Sequence, residues 1–263
     1  MATQNNSHEI ALQTFDLSVN YGITPALWDI SLKVPTGVVA GIIGPNGAGK
    51  TTLMKTALGL LTPLSGIVKF FGQPLSEVRQ RIAYVPQRES VDWDFPITVR
   101  DLVLMGRYGK LGLFHRPRQA DYAAVQEYLE KMGVAQFSNR QISQLSGGQQ
   151  QRVFLARALI QEADIYLMDE PFVGVDLATR SAIMSLLHQL KEQGKTVFVV
   201  HHELDSVQAY FDWVIMLNIR LVASGPTIST FTPDNLKDCY GKSYSLFDEA
   251  MKVSKQMQSG LTE

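Results

Sequence analysis

The run Gly44-Pro45-Asn46-Gly47-Ala48-Gly49-Lys50-Thr51 matches the pattern G-x-x-x-x-G-K-[ST], and its flanks constrain the fold more than any other feature. Residues 38–43 before it form a short continuous apolar run, the pattern of a strand buried on both faces. Residues 51–61 after it read as a helix. Strand, glycine loop and helix together are the context in which this motif cradles phosphates. Gly44, Gly47 and Gly49 let the backbone turn several N–H groups inward, and the helix N-terminus adds to the anion site. Pro45, Asn46, Ala48 and Thr52 belong to the same cradle. Lys50 places a positive charge near the β- and γ-phosphates, and the Thr51 hydroxyl is positioned for Mg²⁺. The competing reading is a glycine-rich turn with an incidental lysine, which the flanking strand and helix disfavour.

Two further segments carry chemistry. About a hundred residues on comes Leu145-Ser146-Gly147-Gly148-Gln149, followed by an apolar run at 165–168 that ends in Asp169-Glu170. Adjacent carboxylates at a buried strand end are costly unless a cation or hydrogen bonds compensate them. Asp169 therefore reads as the Mg²⁺-side carboxylate and Glu170 as the general base for an attacking water. Capping of the next helix is the alternative for either residue.

The rest of the chain is organised around these points. Residues 10–34 read as two antiparallel strands, with Ile30, Leu32 and Val34 alternating against Ser31 and Lys33. Strands are expected at 67–71 and 81–85, with Gly72 and Pro74 turning between them. From 87 to about 160 the pattern is helical: Tyr122, Val125, Leu129 and Met132 share one face, as do Val153, Ala156 and Ile160. Strands return at 165–168, 196–200 and 213–217, and Ile183, Leu186, Leu187 and Leu190 mark an amphipathic helix.

Composition narrows the partners. A net charge of −1 offers no bulk electrostatic case for nucleic acid or an anionic membrane. The lone cysteine, Cys239, excludes an internal disulfide and fits a reducing compartment. Residues 1–8 are polar and do not read as a signal peptide. No run of eighteen apolar residues occurs, so work at a membrane would require another chain to hold this one there.

The phosphate loop, LSGGQ and the Asp169-Glu170 pair together resemble the ATPase subunits of ABC transporters, from Ile10 to about Tyr240. The resemblance implies an α/β fold: a P-loop NTPase core with a mixed sheet, an N-terminal antiparallel β subdomain and an inserted helical subdomain. It implies one domain over 8–240 with the helical subdomain at about 88–160; the C-terminal extension at 241–263, polar beyond about Ser254, is expected to be partly disordered. ATP and Mg²⁺ are the implied cofactors. By resemblance, Ser146, Gly147, Gly148 and Gln149 of one subunit close over the ATP held by a second copy. A hydroxyl and glycine N–H groups at a helix start are good phosphate donors for that purpose.

The same resemblance places Gln87 at the Q-loop position, reaching Mg²⁺ or the attacking water. It makes His202 the γ-phosphate sensor, with His201 standing where the family usually has Thr. A zinc site from the two histidines is disfavoured, since adjacent strand residues point to opposite faces. Tyr21 falls at the adenine-stacking position. Asp176 matches the D-loop that couples the two sites, with a turn aspartate or helix N-cap as its plainer reading.

The resemblance also implies partners: a second ATPase subunit, integral permease subunits, and indirectly an extracytoplasmic metal-binding protein. The chain would then be cytoplasmic and peripheral on the cell membrane. Residues 84–117 resemble importers of the metal-chelate group that carry manganese, zinc or iron, with manganese first. Within them Trp93, Phe95, Leu102, Val103, Leu104, Met105 and Tyr108 either line a groove for a permease helix or form subdomain core. ABC ATPases of DNA repair carry long coiled coils between the phosphate loop and LSGGQ, and no sustained heptads occur here. Those of translation carry two cassettes, and this chain has one.

Overall fold

The computed structural model describes residues 9–112 and 116–241. The polar residues 1–8, residues 242–263 of the C-terminal extension, and Leu113–His115 of the importer-like segment lie outside the described residues. The chain begins with two long strands, β1 (Ile10–Tyr21) and β2 (Thr24–Pro35), which form a hairpin closed by Gly22 and Ile23. β3 (Val39–Ile43) leads into the glycine loop and the helix Lys50–Ala57. β4 (Ser65–Phe70) returns to pair with β1, giving a three-stranded antiparallel sheet in the order β2-β1-β4.

The second sheet has six strands in the order β5-β6-β7-β3-β8-β9, with β5 (Ile82–Val85), β6 (Ile165–Asp169), β7 (Thr196–Val200), β8 (Trp213–Asn218) and β9 (Arg220–Pro226). All neighbours are parallel except β8 and β9. β3, β6 and β7 are buried at every position, as parallel strands covered on both faces must be. Their alternate residues feed two cores. Ala40, Ile42, Leu167, Phe198 and Val200 pack with the antiparallel sheet and with Leu53 and Met54 of the first helix. Val39, Met168, Val197 and Val199 pack on the other side with Leu102, Val125, Leu129, Phe154 and Leu187.

Between β5 and β6 the chain is helical, with Val99–Leu104, Gln119–Lys131 and Gly147–Leu159 packed on one another. Val125 and Leu129 are buried at the heart of this layer, while Tyr122 stays largely exposed. Leu102, Val103 and Leu104 are core, which removes them from any permease groove. Trp93 is half-buried against the same core, whereas Phe95, Met105 and Tyr108 remain exposed. Among the described residues no helix is long and apolar enough to cross a membrane.

The larger departures from the sequence reading are two early ends and one missed strand. The first helix stops at Ala57, not at residue 61: Gly59 takes a left-handed turn at φ 68, and the Leu60 N–H closes back on the Lys55 carbonyl at 2.8 Å. Phe71 leaves its strand for a turn at φ 51. β9 was not anticipated at all. It is a half-buried edge strand, RLVASGP, whose mixed composition carries little period-two signal.

His201 belongs to the core. It is 2% exposed, sits edge-on to Phe172 and Phe211, and meets the Ser206 hydroxyl through Nε2 at 2.7 Å. Ser206 in turn donates to the Glu203 carbonyl at 3.2 Å. Burial pushes the imidazole pKa down from 6.5 to about 4. The unfolded chain thus binds this proton more readily than the folded one. The stability that His201 contributes is complete above pH 6.5 and is lost as pH falls toward 4. At about 1.4 kcal/mol per unit the full swing is about 3 kcal/mol. His201→Leu should flatten the pH dependence of the denaturation midpoint across this window; an unchanged slope would show that His201 does not titrate there.

Candidate nucleotide site

The glycine loop leaves β3 at the carboxyl edge of the parallel sheet, where the crevices of open α/β sheets bind ligands. Gly49, which caps the following helix, has φ 93, and a Cβ there would stand 2.5 Å from the Ala26 carbonyl oxygen. No side chain fits in that place, so this glycine is fixed both by backbone angle and by the approach of β2. Lys50 is 7% exposed and curls back over the loop, donating from Nζ to the carbonyls of Gly44 and Pro45, each at 2.9 Å. Burial lowers its pKa, and the nearby Glu170 carboxylate partly opposes that shift.

Asp169 ends β6 and is 1% exposed. Its Oδ1 accepts from the Thr51 hydroxyl at 3.0 Å, while its Oδ2 is buried with no hydrogen-bond partner. Burial raises its pKa; the Thr51 hydrogen bond acts the other way, and the Glu170 charge adds to the rise. Glu170 follows at φ 52, a left-handed conformation that a non-glycine residue adopts only when its surroundings impose it. That turn aims its side chain back over the sheet edge. Its Oε2 accepts from the Gln87 side-chain amide at 3.1 Å.

Tyr21, Ala26, Gly47, Lys50, Thr51 and Glu170 line one hollow of about 370 Å³. Tyr21 reaches it from the tip of the β1–β2 hairpin and is 52% exposed. His202 is exposed just beyond β7, and β7 lies between β6 and β3 in the sheet. It therefore emerges between Asp169 and the glycine loop, while His201 faces the core.

The LSGGQ segment stands elsewhere. Ser146 caps the helix Gly147–Leu159 in a capping box: Gln149 N–H donates to its Oγ at 3.4 Å, and Ser146 N–H donates to Gln149 Oε1 at 2.9 Å. Ser146 is exposed. Asp176 caps the helix Leu177–Glu192 by accepting from Thr179 N–H at 2.7 Å, which also lowers its pKa. Among the described residues, neither Ser146–Gln149 nor Asp176 lines the hollow around the glycine loop. Asp176 borders a separate cavity of about 890 Å³ between this helix and the helical layer.

One polar contact was not foreseen from the sequence. Arg88, next to Gln87, donates to the side chain of Gln150, just past the LSGGQ segment. A buried glutamine in an amphipathic helix was the available signal, since such a group requires a partner.

Known proteins agree with this geometry. The family model described as "ABC transporter" matches residues 27–173. The manganese transport system ATP-binding protein MntB of Bacillus subtilis is 58% identical over 226 residues, covering 86% of this chain and 90% of that one. The zinc transport system ATP-binding protein TroB of Treponema pallidum is 55% identical over 231 residues, covering 88% and 87%. Among solved structures, a chain of an ABC transporter described as of the metal-chelate type, in an inward-facing conformation, shares 30% identity at a TM-score of 0.76 over 88% of each chain. A family match spanning more than half of the chain, over a phosphate loop and LSGGQ built on this fold, places the protein in the ABC transporter family as an ATP-binding, ATP-hydrolysing subunit.

Proposed function

We propose that this subunit drives uptake of a divalent metal ion, manganese first, through separate membrane permease subunits. In this reading two copies sandwich two ATP molecules. The observation that carries the dimer is the separation inside one chain: Tyr21, the glycine loop and Glu170 share a hollow that Ser146–Gln149 do not line. Cargo rests on the relatives, which are named for manganese and zinc transport, and on the importer-like segment. The chain would sit on the cytoplasmic face of the membrane, held by the permease, with an extracytoplasmic metal-binding protein delivering cargo. Residues 8–240 would act as one ATPase unit.

Each side chain has a task in this reading. The loop N–H groups and Lys50 hold the phosphates, and Tyr21 stacks on the base. Thr51, Asp169 and Gln87 fit Mg²⁺: a hydroxyl, a carboxylate with one buried oxygen lacking a partner, and an amide oxygen are hard donors of the kind it prefers. When bound, Mg²⁺ would neutralise charge on the β- and γ-phosphates. Glu170 accepts a proton from the attacking water, Gln87 holds the Glu170 carboxylate in place, and His202 contacts the γ-phosphate. Ser146, Gly147, Gly148 and Gln149 approach from the second copy, and Asp176 lies at the contact between copies. ATP binding closes the pair and hydrolysis reopens it.

Glu170→Gln should keep ATP binding, lose hydrolysis by roughly 10²–10⁴-fold, and accumulate an ATP-bound dimer in size-exclusion chromatography. Phosphate release near the wild-type rate would remove Glu170 as the base. Ser146→Arg should leave binding of a fluorescent nucleotide by the monomer unchanged while abolishing turnover; normal turnover would defeat the trans arrangement. For cargo, a strain lacking the gene should lose uptake of radioactive manganese and regain it with the wild-type gene but not with Glu170→Gln. Restoration of zinc uptake alone would reassign the metal.

A further inference from the structure

Arg88 follows Gln87 directly, yet its side chain belongs to the helical layer. Its Nε and Nη2 both donate to Oε1 of Gln150, at 3.4 and 3.2 Å. Gln150 is 4% exposed, and its amide is held in one orientation because Nε2 donates to the Ile142 carbonyl at 3.1 Å. The amide oxygen is left facing the guanidinium. Gly147 makes room for that group: a Cβ at this glycine would lie 3.0–3.3 Å from the guanidinium atoms. The main chain of Arg88 is tied to the same helix. Its carbonyl accepts from the Trp93 indole N–H at 2.8 Å, and the Trp93 ring meets Phe154 edge-on at 5.1 Å, one helical turn beyond Gln150.

Gln87 has extended backbone angles, φ −59 and ψ 138, and its amide reaches the other way, to Glu170. A single peptide unit thus separates the group that touches Glu170 from the group that touches the LSGGQ helix. We infer that Arg88 is a positioning residue: by fastening residue 88 to Gln150 it sets where the Gln87 amide meets Glu170. Hydrolysis then depends on where the helix Gly147–Leu159 stands relative to the sheet. This inference rests on the reading of Glu170 as the base.

The bond has one charged partner, which strengthens it, but it is shared between two donors at long range. A moderate effect follows, smaller than loss of the base itself. In the full-length chain, Arg88→Met and Gln150→Met should each lower kcat roughly tenfold, the scale of coupling between side chains in contact. KM for ATP should stay within about twofold, because loop contacts to phosphate are untouched. The double variant should be no worse than the worse single one, and Arg88→Lys should recover part of the rate. In a Glu170→Gln background, Arg88→Met should add nothing.

A wild-type kcat for Arg88→Met, additive losses in the double variant, or a further loss in the Glu170→Gln background would each overturn the inference. If Arg88→Met does not fold, Gln150→Met and Arg88→Lys carry the same comparison. Near-normal hydrolysis by Glu170→Gln would instead remove the base assignment. An inactive Glu170→Gln beside an unaffected Arg88→Met would remove this inference alone.

Discussion

The hydrogen bond from Thr51 to Asp169 ties the site to the fold. Thr51 lies on the helix after β3 and Asp169 ends β6, and in the sheet these strands are separated by β7. The bond therefore spans the end of β7 and fixes the glycine loop against the carboxylate pair. It can do so only because β3, β6 and β7 end in register at one edge. Ile42 pairs with Val200, and Val200 pairs with Asp169. A slip of one residue in any of these strands would turn every side chain to the opposite core and carry Asp169 away from Thr51.

Burying a carboxylate oxygen without a partner is unfavourable, and the strands beneath supply what offsets it. Fully burying one aliphatic side chain is worth about 1.5–3 kcal/mol, and β6 and β7 between them bury Ile165, Leu167, Met168, Val197, Val199 and Val200. The sheet interior thus holds a strand end that would be unstable alone. The left-handed turn at Glu170 belongs to the same economy, since a strained residue persists where its neighbours over-determine it.

The central strands, and the placing of Gly44 and Asp169 at their ends, were legible for the same reason. Continuous apolar runs ending in Gly44 or Asp169 have one physical interpretation, a buried parallel strand that stops where polar chemistry starts. β9 was illegible because an edge strand half in water needs no regular pattern, and the first helix ran short because Gly59 outweighed the apolar Leu60 and Leu61. By sequence, residues 93–108 fit either a permease groove or subdomain core, and the structure divides them: Leu102–Leu104 are core, while Phe95, Met105 and Tyr108 are exposed. One-face periodicity cannot separate these in a helix of six residues flanked by turns.

His201 and His202 show how a pattern by residue type misleads and how geometry resolves it. Both are imidazoles at the end of β7, but strand alternation sends one into an aromatic nest of Phe172, Tyr210 and Phe211 and leaves the other exposed. Burial holds His201 neutral to about pH 4. A group so deep cannot exchange protons with a nucleotide at the sheet edge. What stands in the place of the usual threonine is therefore a packing residue whose Nε2 meets the Ser206 hydroxyl. Of the two imidazoles only His202 is left exposed, just beyond β7 and between the strands that end in Asp169 and the glycine loop.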